Sequence, residues 1–221
     1  MSTITLLIGV SNLEWMRASA STPWGAVTAI VVHSDVSHYA GNMVGLLFFL
    51  PLFAVINLDL DRARRRRRAL AFSVTILVAA VVANAAWVLR FPTIAPSEGV
   101  VGASGVVYAA MGAVAMFALF NTLDDVNVYW RARAGGDRRR ATSWSLTLVN
   151  LAFFLAIFAA IMFSPGGFLG VGQGVNVLSH GIAVIVAAAS SIAYRLWWES
   201  NPSISRESAG RGEGAPRRGG G

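Results

Sequence analysis

The sequence contains no cysteine and no lysine. Without thiols, disulfides, zinc–thiolate centres and cysteine catalysis are excluded. Charge is scarce as well. Ionised side chains make up 13% of the 221 residues, against ~25% in a typical soluble domain. Hydrophobic residues account for 55%, and mean hydropathy is +0.59. A chain this apolar cannot clothe itself in polar groups, so a water-soluble globule is excluded. The expected fold is all-α, a polytopic helix bundle in a membrane.

A spanning helix needs about 20 mostly apolar residues. Five stretches qualify: 36–57, 69–89, 104–120, 144–163 and 176–194. The first must tolerate His38 and Asn42, and the third is short. Residues 1–10 are apolar, but Glu14 and Arg17 end the run. That segment is too short to cross and lacks the charged start and cleavage site of a signal peptide. It predicts a short or truncated first span. The end of the chain is rich in Gly, Ser, Pro and Arg, a composition that predicts disorder. The expected division is therefore 1–23 for the first span and its loop, 24–198 for the membrane core, and 199–221 for a disordered cytoplasmic tail. No internal repeat is present.

All 18 basic residues are arginine. Arg62 and Arg64 to Arg68 follow the first of the five stretches. Arg131, Arg133, Arg138, Arg139 and Arg140 follow the third, and Arg195, Arg206, Arg211, Arg217 and Arg218 follow the last. With alternating spans, these three clusters share one face. Arg17 and Arg90 fall on the other. The positive-inside rule places the clusters in the cytoplasm. The alternative, an arginine patch for nucleic acid, needs an extra assumption for the same residues, so no nucleic-acid partner is expected.

Ionisable groups at membrane depth are costly and usually functional. The three histidines, His33, His38 and His180, all map to the outer side. Ser104 opens the third stretch in the setting Gly102-Ala103-Ser104-Gly105. The helices carrying His38, Ser104 and His180 all run from outside inward, so topology alone brings the three residues to one shallow layer. His38 and Asn42, four apart, share a helix face. A serine nucleophile needs a base, and His180 is the candidate. Unpaired amides at a helix start, with His38 and Asn42, would meet a tetrahedral oxyanion. Gly102 and Gly105 permit close approach.

Each feature has a plainer reading. A small-residue tetrapeptide in an apolar helix commonly serves helix packing, and a lone asparagine can be interhelical glue. The joint occurrence carries the inference. A metal site is the chemical rival. However, His33 and His38 are five apart, whereas the zinc-protease pattern needs a spacing of four and an adjacent glutamate. No metal is expected. A triad through Asp35 is possible, and the Ser104–His180 dyad is simpler.

These residues resemble the rhomboid family of intramembrane serine proteases, over a match from about Trp24 to Tyr194. His33-Ser-Asp-Val-Ser-His38-Tyr-Ala-Gly-Asn42 is similar to the family's histidine–asparagine element. Gly102-Ala-Ser104-Gly105-Val-Val-Tyr108-Ala-Ala-Met-Gly112 is similar to its nucleophile segment, and His180 to its general base. The resemblance implies a six-helix core, a Ser104–His180 dyad, an oxyanion site of His38 and Asn42, and Tyr108 packed against the base. It also implies His33, Gly102 and Gly105 in support, no cofactor, and single-span membrane proteins as substrates entering from the lipid bilayer. The glycine-rich stretch 164–174 falls where the family has a mobile cap. Two departures stand out. Ala183, followed by Ala187, stands where the family usually has glycine three residues after the base, with Gly181 beside the histidine, and Trp24-Gly25 stands where the family has Trp-Arg.

The leading expectation is a serine-type endopeptidase of the cell membrane, with its site on the extracytoplasmic side. The alternatives are a non-catalytic rhomboid-like binding or quality-control factor, or a small histidine-based proton transporter.

Overall fold

The computed structural model describes residues 13–134, 144–163 and 177–199. The predicted first span at 1–10, the glycine-rich stretch 164–174 and the tail 201–221 lie outside the described residues.

Helices stand at all five predicted places. They are α1 (Val36–Val55), α2 (Arg62–Arg90), α3 (Ser104–Ala134), α4 (Trp144–Phe163) and α5 (Val177–Tyr194). Four of the described helices are long and apolar enough to cross a bilayer, and the described apolar part of α4 is shorter. Within these segments almost every backbone group bonds inside its own helix, as hydrocarbon requires. Pro51 sits inside α1. It removes one N–H and frees one carbonyl, a defect that membrane helices tolerate.

Two boundaries differ from the sequence reading. The second helix begins at Arg62 instead of residue 69 and runs 29 residues, about 43 Å at 1.5 Å per residue. That exceeds the ~30 Å hydrocarbon core, so its arginine-rich first turns can stand outside it. Asp61 starts the helix by accepting the Arg64 amide at 2.9 Å. Arginine has high helix propensity, so a charge run that ends an apolar stretch need not end a helix. Helix α3 likewise continues past residue 120, through Asn121, Thr122, Asp124 and Asp125, to Ala134 and carries Arg131 and Arg133 in helix.

Helix α3 is the centre of the bundle, packed by α1, α2, α4 and α5, while α5 also lies against α2. The seams are built from small side chains. Ala79, Ala80 and Ala83 of α2, Ala109, Ala110 and Ala113 of α3, and Ala183 and Ala187 of α5 are fully buried. Close backbone approach of this kind drives association where lipid is as apolar as the side chains. It is tightest at Gly112, where an added β-carbon would stand 2.6 Å from the Val184 carbonyl oxygen of α5. Large apolar side chains such as Val44, Leu47 and Phe48 of α1 and Ile185 of α5 point outward. A soluble monomer would bury such a surface.

Arg68 departs most from expectation. Read as part of a solvated loop, it is in fact buried within α2. Its guanidinium donates to Asn57 Oδ1 at 3.0 Å and to Asn121 Oδ1 of α3, and lies over the Phe117 ring. The two amides in turn donate to the Phe53 carbonyl, at 2.7 Å, and to the Ile56 carbonyl. The end of α1, the start of α2 and the middle of α3 are thus tied by one cation.

Removing Arg68 leaves two buried amide oxygens unpaired, at about 1–3 kcal/mol each. Arg68→Ala is expected to lower the unfolding midpoint in detergent well below that of Arg62→Ala, a change at an exposed position. Equal midpoints for the two variants would refute the clamp.

Candidate active site

The segment before α1 braces the turn before α3. Ala18 and Val100 exchange backbone hydrogen bonds of 3.1 Å in both directions, and Gly102 donates to the Ala29 carbonyl at 2.8 Å. The Ala103 amide donates to His33 Nε2 at 3.3 Å. Arg17, read from sequence as the end of an apolar run and as one of two arginines on the outer face, donates to the Ser97 carbonyl at 2.7 Å. Trp24 is fixed by its indole bond to the Trp15 carbonyl at 2.6 Å. Ala18, Ala29, Trp87 and Val100 close a small apolar core beneath. The amides of Val100, Gly102 and Ala103, in the irregular turn before α3, are therefore met by protein, as membrane depth demands.

This bracing delivers Ser104 to the first position of α3. Its Oγ lies 2.9 Å from His180 Nε2 on α5. His180 is buried, and the Tyr108 ring, one turn along α3 from Ser104, stacks on the imidazole with centroids 4.1 Å apart and planes 21° apart. The next residue back on α5, Ser179, hydrogen-bonds Asn84 Oδ1 of α2 at 3.5 Å, and Asn84 donates to the Ala26 carbonyl at 3.1 Å. Ser179 and Asn84 were not singled out from sequence. Asn84 was detectable as the lone amide in the 69–89 apolar run.

Gly102 links Ser104 to the α1 pair. Its φ is +106°, a region costly for any residue with a β-carbon. Such a carbon would stand 2.6 Å from His38 Nε2 and 3.2 Å from Asn42 Nδ2. Asn42 is buried, and its Nδ2 has no hydrogen-bond partner among the described residues. A buried donor without a partner costs about 1–3 kcal/mol. This one faces the space beside Gly102. Gly105, by contrast, backs onto Ala80 of α2 at ordinary contact distance. It serves helix packing.

His33 and His38 meet edge to face, with ring centroids 5.4 Å apart. Burial and the neighbouring His38 lower the His33 pKa, against smaller opposing effects of the Val31 backbone and Asp35. A neutral His33 keeps Nε2 free to accept the Ala103 amide. Asp35 caps α1. It accepts the His38 amide at 2.8 Å, Ser37 Oγ at 2.5 Å and Ser34 Oγ at 2.7 Å. These bonds hold its carboxyl well below the usual range, led by the one from Ser37. Its hydrogen bonds are thus made around α1, on the His38 side, and the triad alternative finds no support in them. Among the described residues no three His, Asp or Glu side chains form a metal-ligand set.

A family model described as the rhomboid domain matches residues 20–196. No curated protein and no solved structure matches the chain.

Gly102→Ala would force a β-carbon against His38 in a disfavoured backbone region. Strain of about 1–3 kcal/mol is expected, with displacement of the turn carrying Ser104. Fluorophosphonate labelling at Ser104 in detergent is expected to fall by about fivefold to a hundredfold, since each 1.36 kcal/mol is tenfold in rate. Labelling at the wild-type rate would show that the Gly102 geometry is dispensable.

Proposed function

The chain belongs to the rhomboid family of intramembrane proteases, and we propose that it is an active serine endopeptidase that cleaves single-span membrane proteins in or near their spanning segment. The observation that carries this reading is the 2.9 Å approach of Ser104 Oγ to His180 Nε2 across 76 positions of sequence. A hydroxyl and an imidazole at that distance meet the geometric requirement for an activated nucleophile.

In the proposed reaction, Ser104 Oγ bonds to the scissile carbonyl carbon as its proton passes to His180 Nε2. The carbonyl electron pair moves onto oxygen. That oxyanion lies at the N-terminal end of α3, whose first amides lack helical partners. Asn42 Nδ2, without a partner among the described residues, and the His38 ring face the same space. Collapse breaks the C–N bond, and His180 returns the proton to the leaving amine. Water then attacks the acyl carbon as His180 takes its proton, the ester C–O bond breaks, and His180 returns the proton to Ser104 Oγ as the acid product leaves. Tyr108, stacked on the imidazole, restricts its rotation through the cycle. His33 supports the site by holding the Ala103 amide.

The proposed orientation follows the arginine bias, with the Arg62–Arg68 end cytoplasmic and the Ser104 end extracytoplasmic. The exposed Trp15 and Trp24 then sit at the outer interface, and Trp130, Trp197 and Trp198 at the inner one, as interfacial aromatics do. Residues 24–198 form the proposed core, and 199–221 a cytoplasmic tail.

Ser104→Ala and His180→Ala are each expected to abolish cleavage of a single-span reporter in reconstituted vesicles. Asn42→Ala, which removes one oxyanion donor, should slow it by roughly 10²–10³ and leave residual activity. Cleavage undiminished in either dyad variant ends the protease reading. A wild-type protein that neither cleaves nor takes a fluorophosphonate leaves the non-catalytic binding reading in its place.

A further inference from the structure

The side of α2 that looks away from the bundle changes character at Leu70. Arg62, Arg66, Leu70, Ser73 and Leu77 are all exposed. At about 100° per residue they lie within a sector of roughly 80° around the helix axis. Arg68, Phe72, Thr75 and Ala79, all buried, lie on the other side. From Leu70 onward the exposed sector meets lipid tails, with Leu70 66% and Leu77 52% exposed. Arg66 precedes Leu70 by about 6 Å along the axis, and Arg62 by about 12 Å. The headgroup layer extends about 5–7 Å beyond the hydrocarbon on each side. Arg66 therefore falls within that layer, and Arg62 reaches it with a long, bending side chain.

The protein itself does little to neutralise these cations. Residues 58–67 hold five arginines and two aspartates. Asp61 pairs with Arg64 at 3.2 Å. Arg65 and Arg67 donate to the Leu60 and Ala63 carbonyls at 3.3 and 3.4 Å. Arg62 and Arg66 have no ion-pair or hydrogen-bond partner among the described residues. They stand four residues apart, where like charges on a helix repel, and at the end of α2 whose dipole is already positive. Both effects weaken the start of the helix. A local conflict of this kind points to a compensating partner, and its depth calls for an anion in the headgroup layer.

We propose that Arg62 and Arg66 bind the phosphate of an anionic phospholipid whose tails lie along Leu70, Ser73 and Leu77. The inference goes beyond the protease reading and does not depend on it. Guanidinium forks match phosphate oxygens two at a time, and side chains one turn apart can straddle a single phosphodiester. A zwitterionic lipid brings its own cation with its phosphate and so leaves the repulsion in place. A nucleic acid also carries phosphate, but its bases would meet a surface that continues into hydrocarbon. Occupancy of the site bears on the bundle. Arg68 departs from the next turn of the same helix toward Asn57 and Asn121, so an anion that steadies the first turns of α2 steadies the tie between α1, α2 and α3.

The test uses full-length protein in neutral detergent with phosphatidylglycerol or phosphatidylcholine added. Native mass spectrometry reads retained lipid, and thermal unfolding reads the midpoint. Phosphatidylglycerol should bind about thirtyfold more tightly than phosphatidylcholine, each arginine contributing roughly fivefold. It should also raise the midpoint, by less as salt is added. In the double variant Arg62→Gln/Arg66→Gln both the preference and the rise should vanish. Its midpoint in phosphatidylcholine should match or exceed the wild type, because the repulsion at the helix start is gone. Arg62→Lys/Arg66→Lys, which keeps charge without the fork, should keep part of the preference. Arg217→Gln/Arg218→Gln removes the same charge from the tail and should leave the preference intact. A preference that survives the Arg62/Arg66 glutamine variant, or that the tail variant removes equally, overturns the proposal. So does a midpoint raised as far by inorganic phosphate or a short RNA at the same phosphate concentration, and so does a glutamine variant destabilised equally in both lipids.

Discussion

A backbone amide or carbonyl left without a partner at membrane depth costs several kcal/mol, and the turn before Ser104 is irregular backbone of that kind. The rest of the site depends on how the turn is satisfied. Residues 17–33 supply the partners: Ala18 for Val100, the Ala29 carbonyl for Gly102, and His33 for Ala103. With those bonds made, α3 begins at Ser104 and the hydroxyl faces His180 of α5. The segment before α1 is therefore part of the scaffold of the site.

The second constraint is how closely helices approach. Hydrocarbon offers no hydrophobic drive between helices, so contact area must come from small residues. The alanines along α2, α3 and α5, and Gly112 against the Val184 backbone, set the α3–α5 spacing that brings the His180 ring to Ser104. At the opposite end the buried Arg68 holds α1, α2 and α3 through two asparagines. A cation inside the bundle is expensive unless its donors are met, and here amide oxygens and the Phe117 ring meet it.

Much of this was legible in the sequence. The five apolar stretches became five helices, because length and composition decide what can cross a membrane. The residues matching the rhomboid pattern, from His33 to His180, lie within the matched domain at 20–196. Less legible were the start of α2 and the end of α3, where polar and charged residues continue a helix beyond the hydrophobic segment. Arg68 was the clearest miss. It is the last of an arginine run, and nothing in that run distinguishes the one side chain that turns inward. Asp35 carried a readable signal, an N-cap residue ahead of an apolar helix, but its bonds from Ser34 and Ser37 needed atomic positions.

The sequence by itself determined that this chain lives in a membrane and which polar residues share a depth, because hydropathy and span direction are properties of the linear order. Rotation of each helix about its axis is not such a property. It is set by which alanines and glycines interlock across α3, and it placed His180 Nε2 on Ser104 and His38 Nε2 beside Gly102.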